Sequence, residues 1–262
     1  MSRLTSTFDR LKAEGRTAFV PFIMAGDPDL ATSEKLLHAL PEAGADIIEI
    51  GFPFTDPMAD GPIIAEAGQR ALDGGQTLKM TLEMVERFRA AGHETPIVLM
   101  GYANPVLQHG ESFAADAVAA GADGLILVDL PPEESETLDS QAKTAGLDVI
   151  RLATPTTDAK RLPKVIERAS GFLYYVAVAG VTGDRSSDAG TLATAIKALR
   201  TQTTLPIAAG FGIKDAASAK SAAEHADAVV VGSAIVKALA VDGVDSALSL
   251  TRTIAEGVHG PN

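Results

Sequence analysis

Eight short runs of apolar, largely β-branched residues recur along the chain at a near-constant interval, and no other feature limits its fold so tightly. They are Phe19–Met24, Ile47–Gly51, Pro96–Tyr102, Gly124–Asp129, Asp148–Ala153, Phe172–Val178, Pro206–Gly212 and Ala228–Gly232. Seven steps separate the first from the eighth and average ~30 residues, the size of one βα unit. Longer Ala-, Leu-, Glu- and Lys-rich segments fill the intervals. Strands that are apolar on both faces belong to a parallel sheet covered on both sides, and eight is the number at which such a sheet closes. The pattern predicts a (β/α)8 TIM barrel in preference to an open doubly wound sheet.

The punctuation agrees. Ala43-Gly44-Ala45-Asp46, Ala120-Gly121-Ala122-Asp123 and Ala145-Gly146-Leu147-Asp148 each precede a strand, with glycine placed to end a helix. Asp27-Pro28 offers a capping oxygen and a preset first helical residue, after which Leu36, Leu37 and Leu40 share one face. The interval from Gly51 to Pro96 is too long for one loop and helix, so it should hold an extended loop and an extra helix; a further helix is expected at the N-terminus. The 262 residues, ambiguous between one domain and two, then form a single barrel domain over 1–262.

Composition enters as a filter. With 46% hydrophobic and 21% charged residues the chain is globular. A net charge of −12, without any Lys/Arg block, disfavours a nucleic-acid binder and requires any anionic ligand to be held by local geometry. The start lacks an apolar signal region, no stretch approaches the ~18 apolar residues of a membrane span, and cysteine is absent, so the cytoplasm is the expected location.

In a barrel of this kind the chemistry sits at the carboxyl ends of the strands. Glu49 stands inside an otherwise apolar strand, where burial would raise its pKa toward the range of a general acid or base; a structural, paired carboxylate is the competing reading. The following loop, Phe52 to Pro62, carries Asp56 and Asp60. Turn formation suffices for Asp56, and Asp60 is balanced between turn and function. Gly210-Phe211-Gly212-Ile213 and Gly232-Ser233-Ala234-Ile235 follow strands seven and eight, the usual phosphate site of this fold, where helix N-terminal amides bind anions. Residues 179–188 suit a mobile lid or an ordinary exposed loop. No pair of the five histidines has metal-ligand spacing, and no strand offers a Schiff-base lysine, so metal-dependent aldolase and imine chemistry are disfavoured.

Residues 49–62, Glu49-Ile50-Gly51-Phe52-Pro53-Phe54-Thr55-Asp56-Pro57-Met58-Ala59-Asp60-Gly61-Pro62, resemble the signature of the tryptophan synthase alpha chain family. The likeness continues through residues 19–28, Met100 to Pro105, Asp129-Leu130-Pro131, Ala179 to Gly183, Gly210 to Ile213 and Gly232 to Lys237, and so spans nearly the whole chain. The resemblance implies a lyase that splits indole-3-glycerol phosphate into indole and glyceraldehyde 3-phosphate, with Glu49 as acid/base and Asp60 as partner of the indole N–H. It implies a phosphate site at Gly183, Gly212, Gly232 and Ser233, an indole pocket drawn from Phe22, Met100, Leu127, Tyr174 and Phe211, and a lid residue, Thr182, that positions Asp60. It also implies no metal and no cofactor in this chain, and a tryptophan synthase beta chain as partner, bearing pyridoxal phosphate, in an alpha-beta-beta-alpha tetramer. Phe52 and Met100 stand where smaller or aliphatic residues are usual, and Gly183-Asp184-Arg185 brings two charges into the lid. The alternatives are a stand-alone indole-releasing lyase, another phosphate-binding isomerase or epimerase with Asp129 as spare carboxylate, and a subunit that only activates a beta partner.

Overall fold

The structure, a computed structural model, describes residues 2–158, 160–176, 185–210 and 212–260, with the side chains of 185–189 outside the description. Its strands run Ala18–Met24, Ile48–Gly51, Ile97–Gly101, Gly124–Leu127, Asp148–Val149 with Arg151–Ala153, Leu173–Val176, Ile207–Gly210 and Ala228–Val231. Each is parallel to its neighbours. The fifth is interrupted at Ile150: its first half pairs with strand four and its second half with strand six, which closes the sheet into a barrel.

Alternation along each strand sorts side chains into two compartments. Val20, Ile47, Val98, Ile126, Ile150, Phe172, Ala208 and Ala228 fill the interior. Their sequence neighbours Phe19, Ile48, Leu99, Leu125, Val149, Leu173, Ile207 and Val229 pack outward against the helices. The amino end of the interior is plugged by the helix Arg3–Glu14, whose Leu4, Phe8 and Leu11 join the inner cluster, with Phe8 and Phe172 ring centroids 5.8 Å apart. Ser2 accepts from the Thr5 amide at its start and Gly15 closes its end with φ 67°. With that end sealed, the barrel interior opens toward the carboxyl ends of the strands, where the main cavity lies.

The long interval after strand two holds the helices Pro62–Asp73 and Leu78–Ala90, as the spacing required. One expected cap moves: the helix Leu30–Ala39 is capped by Asp29, whose carboxylate accepts from the Thr32 amide at 2.9 Å, because the Asp27 carboxylate is held by Arg70. The run Ser233–His259 is broken at Gly243, φ 80°, so a short helix follows strand eight before the last long one.

Candidate active site

Strand parity decides the fate of Glu49. Ile48 and Ile50 point outward, so Glu49 points into the barrel beside its register neighbours Phe22 and Val98. It is 1% exposed, and its Oε2 has no hydrogen-bond partner among the described residues. A structural carboxylate would be expected to be paired. Burial first, and then the charge of Asp60, push its carboxyl up to about 8.

Asp60 reaches the same cavity from the loop that follows strand two. Successive turns shape this loop: the Met58 amide donates to the Asp56 carbonyl at 2.9 Å and the Asp60 amide to the Pro57 carbonyl at 3.0 Å. Burial raises the Asp60 carboxyl to about 6, while a hydrogen bond with Tyr102 favours its ionised form. The Tyr102 hydroxyl also accepts from the Ala59 amide at 3.0 Å, and its ring lies 5.2 Å from that of Phe54. Tyr102 therefore ties the Asp60 loop to the end of strand three. Asp56 is exposed, with the Thr55 hydroxyl donating to it at 2.6 Å, and it does not line the cavity.

The cavity measures about 640 Å³, ample for an aromatic ring with a phosphorylated three-carbon tail. Phe22, Met100 and Tyr174 line its apolar part, joined by Ile63 and Ile64 from the helix after the Asp60 loop. Gly210 makes room for Tyr174: a Cβ there would lie 2.2 Å from the tyrosine hydroxyl. Gly210→Ala should therefore drive that ring into the cavity, with kcat/KM for the substrate falling about 10-fold or more in steady-state assays.

At the opposite wall stand Gly212, Gly232 and Ser233, with Lys214 and Lys237 beside them. The helix that opens at Ser233 has no side-chain cap on its first-turn amides, which suits an anion. Gly183, Thr182 and Phe211 lie outside the described residues, as does the lid segment up to Asp184. Leu127 is a correction: it sits on the outer face of strand four and borders a separate depression with Asp129, because its neighbour Ile126 takes the inward position. Asp129, the spare carboxylate of an isomerase, accepts from the Ala103 amide at 2.8 Å and does not border the main cavity. Sequence reasoning assigned no role to Tyr102, Ile63 or Ile64, although Tyr102 follows a strand end, the position that had singled out the Glu49 loop.

A closed parallel barrel with a cavity of about 640 Å³ at its carboxyl end, into which a buried carboxyl of raised pKa points, is the architecture of a (β/α)8-barrel enzyme. A family model described as tryptophan synthase alpha chain matches residues 8–258. The tryptophan synthase alpha subunit of Legionella pneumophila superposes with a TM-score of 0.92 at 39% identity, covering 98% of each chain. Mycobacterium tuberculosis tryptophan synthase gives 0.91 at 39% identity, covering 99% of each. The chain belongs to the tryptophan synthase alpha chain family, lyases whose reaction is the retro-aldol cleavage of indole-3-glycerol phosphate to indole and glyceraldehyde 3-phosphate.

Proposed function

We propose that Glu49 carries both proton transfers of this cleavage and that Asp60 holds the indole N–H. The observation that supports this most strongly is the unpartnered, buried Glu49 carboxyl sharing a cavity with a second carboxyl of different pKa. At neutral pH Glu49 is protonated and starts as the acid, giving its proton to indole C3. The positive charge that develops spreads to the ring nitrogen, where the ionised Asp60 stabilises it. The carboxylate left on Glu49 then takes the proton of the hydroxyl on the adjacent carbon. The carbon–oxygen bond becomes a carbonyl, the pair of the C3–C bond returns to the ring, and Glu49 ends protonated again. One carboxyl group thus serves in turn as acid and base.

The phosphate is assigned to Gly212, Gly232 and Ser233, with Gly183 completing the site as the family resemblance implies; Lys214 and Lys237 add positive charge at the same wall. Phe22, Met100 and Tyr174 flank the ring. Glu49 gives and recovers the proton the step moves while Asp60 balances the developing charge, so the reading includes no resident cofactor. A beta chain bearing pyridoxal phosphate is the proposed consumer of indole, in an alpha-beta-beta-alpha tetramer. Met58 and Leu107, 82% and 71% exposed on the segments next to Asp60 and Tyr102, suit a partner docking over the cavity mouth. A cytoplasmic location, in keeping with a biosynthetic family, completes the proposal.

Indole release from indole-3-glycerol phosphate, followed with and without added beta chain, tests the reading. The isolated chain should release indole at a measurable rate that rises on adding the partner. No release under either condition sinks the assignment, and a rate indifferent to the partner sinks the coupling.

A further inference from the structure

Asp27 is fully buried at the carboxyl end of strand one, yet it does not border the cavity and takes no part in the steps above. A carboxylate so deeply buried costs stability unless it is paired, and an apolar residue would pack there more simply. Its partner is Arg70, which donates from Nε to Oδ1 at 2.7 Å and from Nη2 to Oδ2 at 3.1 Å. This fork-on-carboxylate geometry sets both distance and orientation, which a lysine cannot do.

The anchor is stiff. The Gly26 amide donates to Ser33 Oγ at 3.1 Å, that hydroxyl donates to the Met24 carbonyl at 3.2 Å, and the Asp27 amide closes a turn onto the same carbonyl at 3.2 Å. The helix Pro62–Asp73 fully buries only the small residues Ala67, Gly68 and Ala71, against Phe22, Met24 and Val236, and its large apolar contacts, Ile63 and Ile64, lie in the first turn, so the Arg70 end is fixed by the ion pair more than by packing. Its first residue lies two positions after Asp60, and Ile63 and Ile64 of its first turn border the cavity. Rotation of this helix would move the isoleucines and pull on the Asp60 loop, whose other tether is Tyr102.

We propose that Arg70 is a positioning residue for the reaction: its bidentate latch onto Asp27 sets the register of the helix Pro62–Asp73 and thereby aims Asp60 into the cavity. The inference rests on the role assigned to Asp60 above. Glu66, on the same helix, is the other charged group felt by Arg70; Glu49 and Tyr102 are those coupled to Asp60.

The test compares Arg70→Lys, Arg70→Ala and Asp27→Asn with Asp139→Asn, which breaks another largely buried arginine pair, Arg151–Asp139, on the outer side of strand five. The latch variants should lose about 10-fold or more in kcat with KM within about 3-fold. The acid limb of their kcat profile should move toward lower pH as Asp60 swings into water. Asp139→Asn should lower the thermal midpoint without either change. Unchanged kcat in Arg70→Ala, or losses that follow stability as in Asp139→Asn with an unmoved pH profile, overturn the proposal. A carboxyl NMR titration of Asp60 in wild type and Arg70→Lys reads the latch without turnover. A lowered Asp60 pKa in the variant supports it even in a chain that releases no indole, and an unmoved one overturns it.

Discussion

Glu49→Gln should reduce kcat for indole release by about 10³-fold, the range expected when a group acting as both acid and base is removed. Its stability should move the other way as pH rises. The folded protein keeps the Glu49 proton up to about pH 8, whereas the unfolded chain releases it near the ordinary value of 4.5. Between those values the native state binds more protons than the unfolded state, so wild-type stability falls as pH increases. The amide cannot ionise and escapes this fall. Unfolding free energies measured from pH 5 to pH 8.5 should therefore shift progressively in favour of Glu49→Gln, by about 1–3 kcal/mol at the alkaline end. A variant that keeps full activity, or one whose relative stability is flat across this range, contradicts the assignment. A carboxyl left unpaired in a barrel interior is strain retained for chemistry, and its removal relieves that strain.

The second large effect is expected at Asp60. Asp60→Asn keeps the shape of the loop and removes the charge that faces the developing indole cation, so kcat should fall about 10²–10³-fold with a smaller change in KM. The pH profile carries the sharper signature. Wild type needs Asp60 ionised and Glu49 protonated, so kcat/KM should be bell-shaped, declining below about 6 and above about 8. Because the two groups interact, these limbs belong to the pair. In Asp60→Asn the acid limb should vanish. The alkaline limb should move to lower pH, since the Asp60 charge contributes to the raised Glu49 pKa. Retention of both limbs in the variant would assign them to other groups.

How far these residues were legible in advance depended on the range of the forces that place them. Glu49 could be singled out because a carboxylate within Ile47-Ile48-Glu49-Ile50-Gly51 contradicts its own neighbours, and strand alternation alone then confines it to one face or the other. Asp60 was half legible: Asp-Gly-Pro is also ordinary turn chemistry, and only the structure shows the loop held by Tyr102 with Asp60 on the cavity wall. Leu127 was misplaced because the apolar run Gly124–Asp129 is equally apolar on both faces, so nothing in it distinguishes Ile126, inward, from Leu127, outward. Asp27 looked like a helix cap by local rules and became the anchor of Arg70, 43 residues away.

The sequence by itself determined the repeat, the number of strands, the closed parallel sheet, the extra helices and the anomaly of a carboxylate at Glu49, because these follow from short-range periodicity and from a residue type that local packing cannot explain. Only the tertiary structure decided which face each strand turns inward, that Glu49 Oε2 has no partner among the described residues, that Tyr102 meets Asp60, and that Arg70 joins the helix Pro62–Asp73 to the turn after strand one. Those outcomes depend on contacts between segments that only barrel closure brings together, where burial and the geometry of a few polar atoms set each carboxyl's proton affinity.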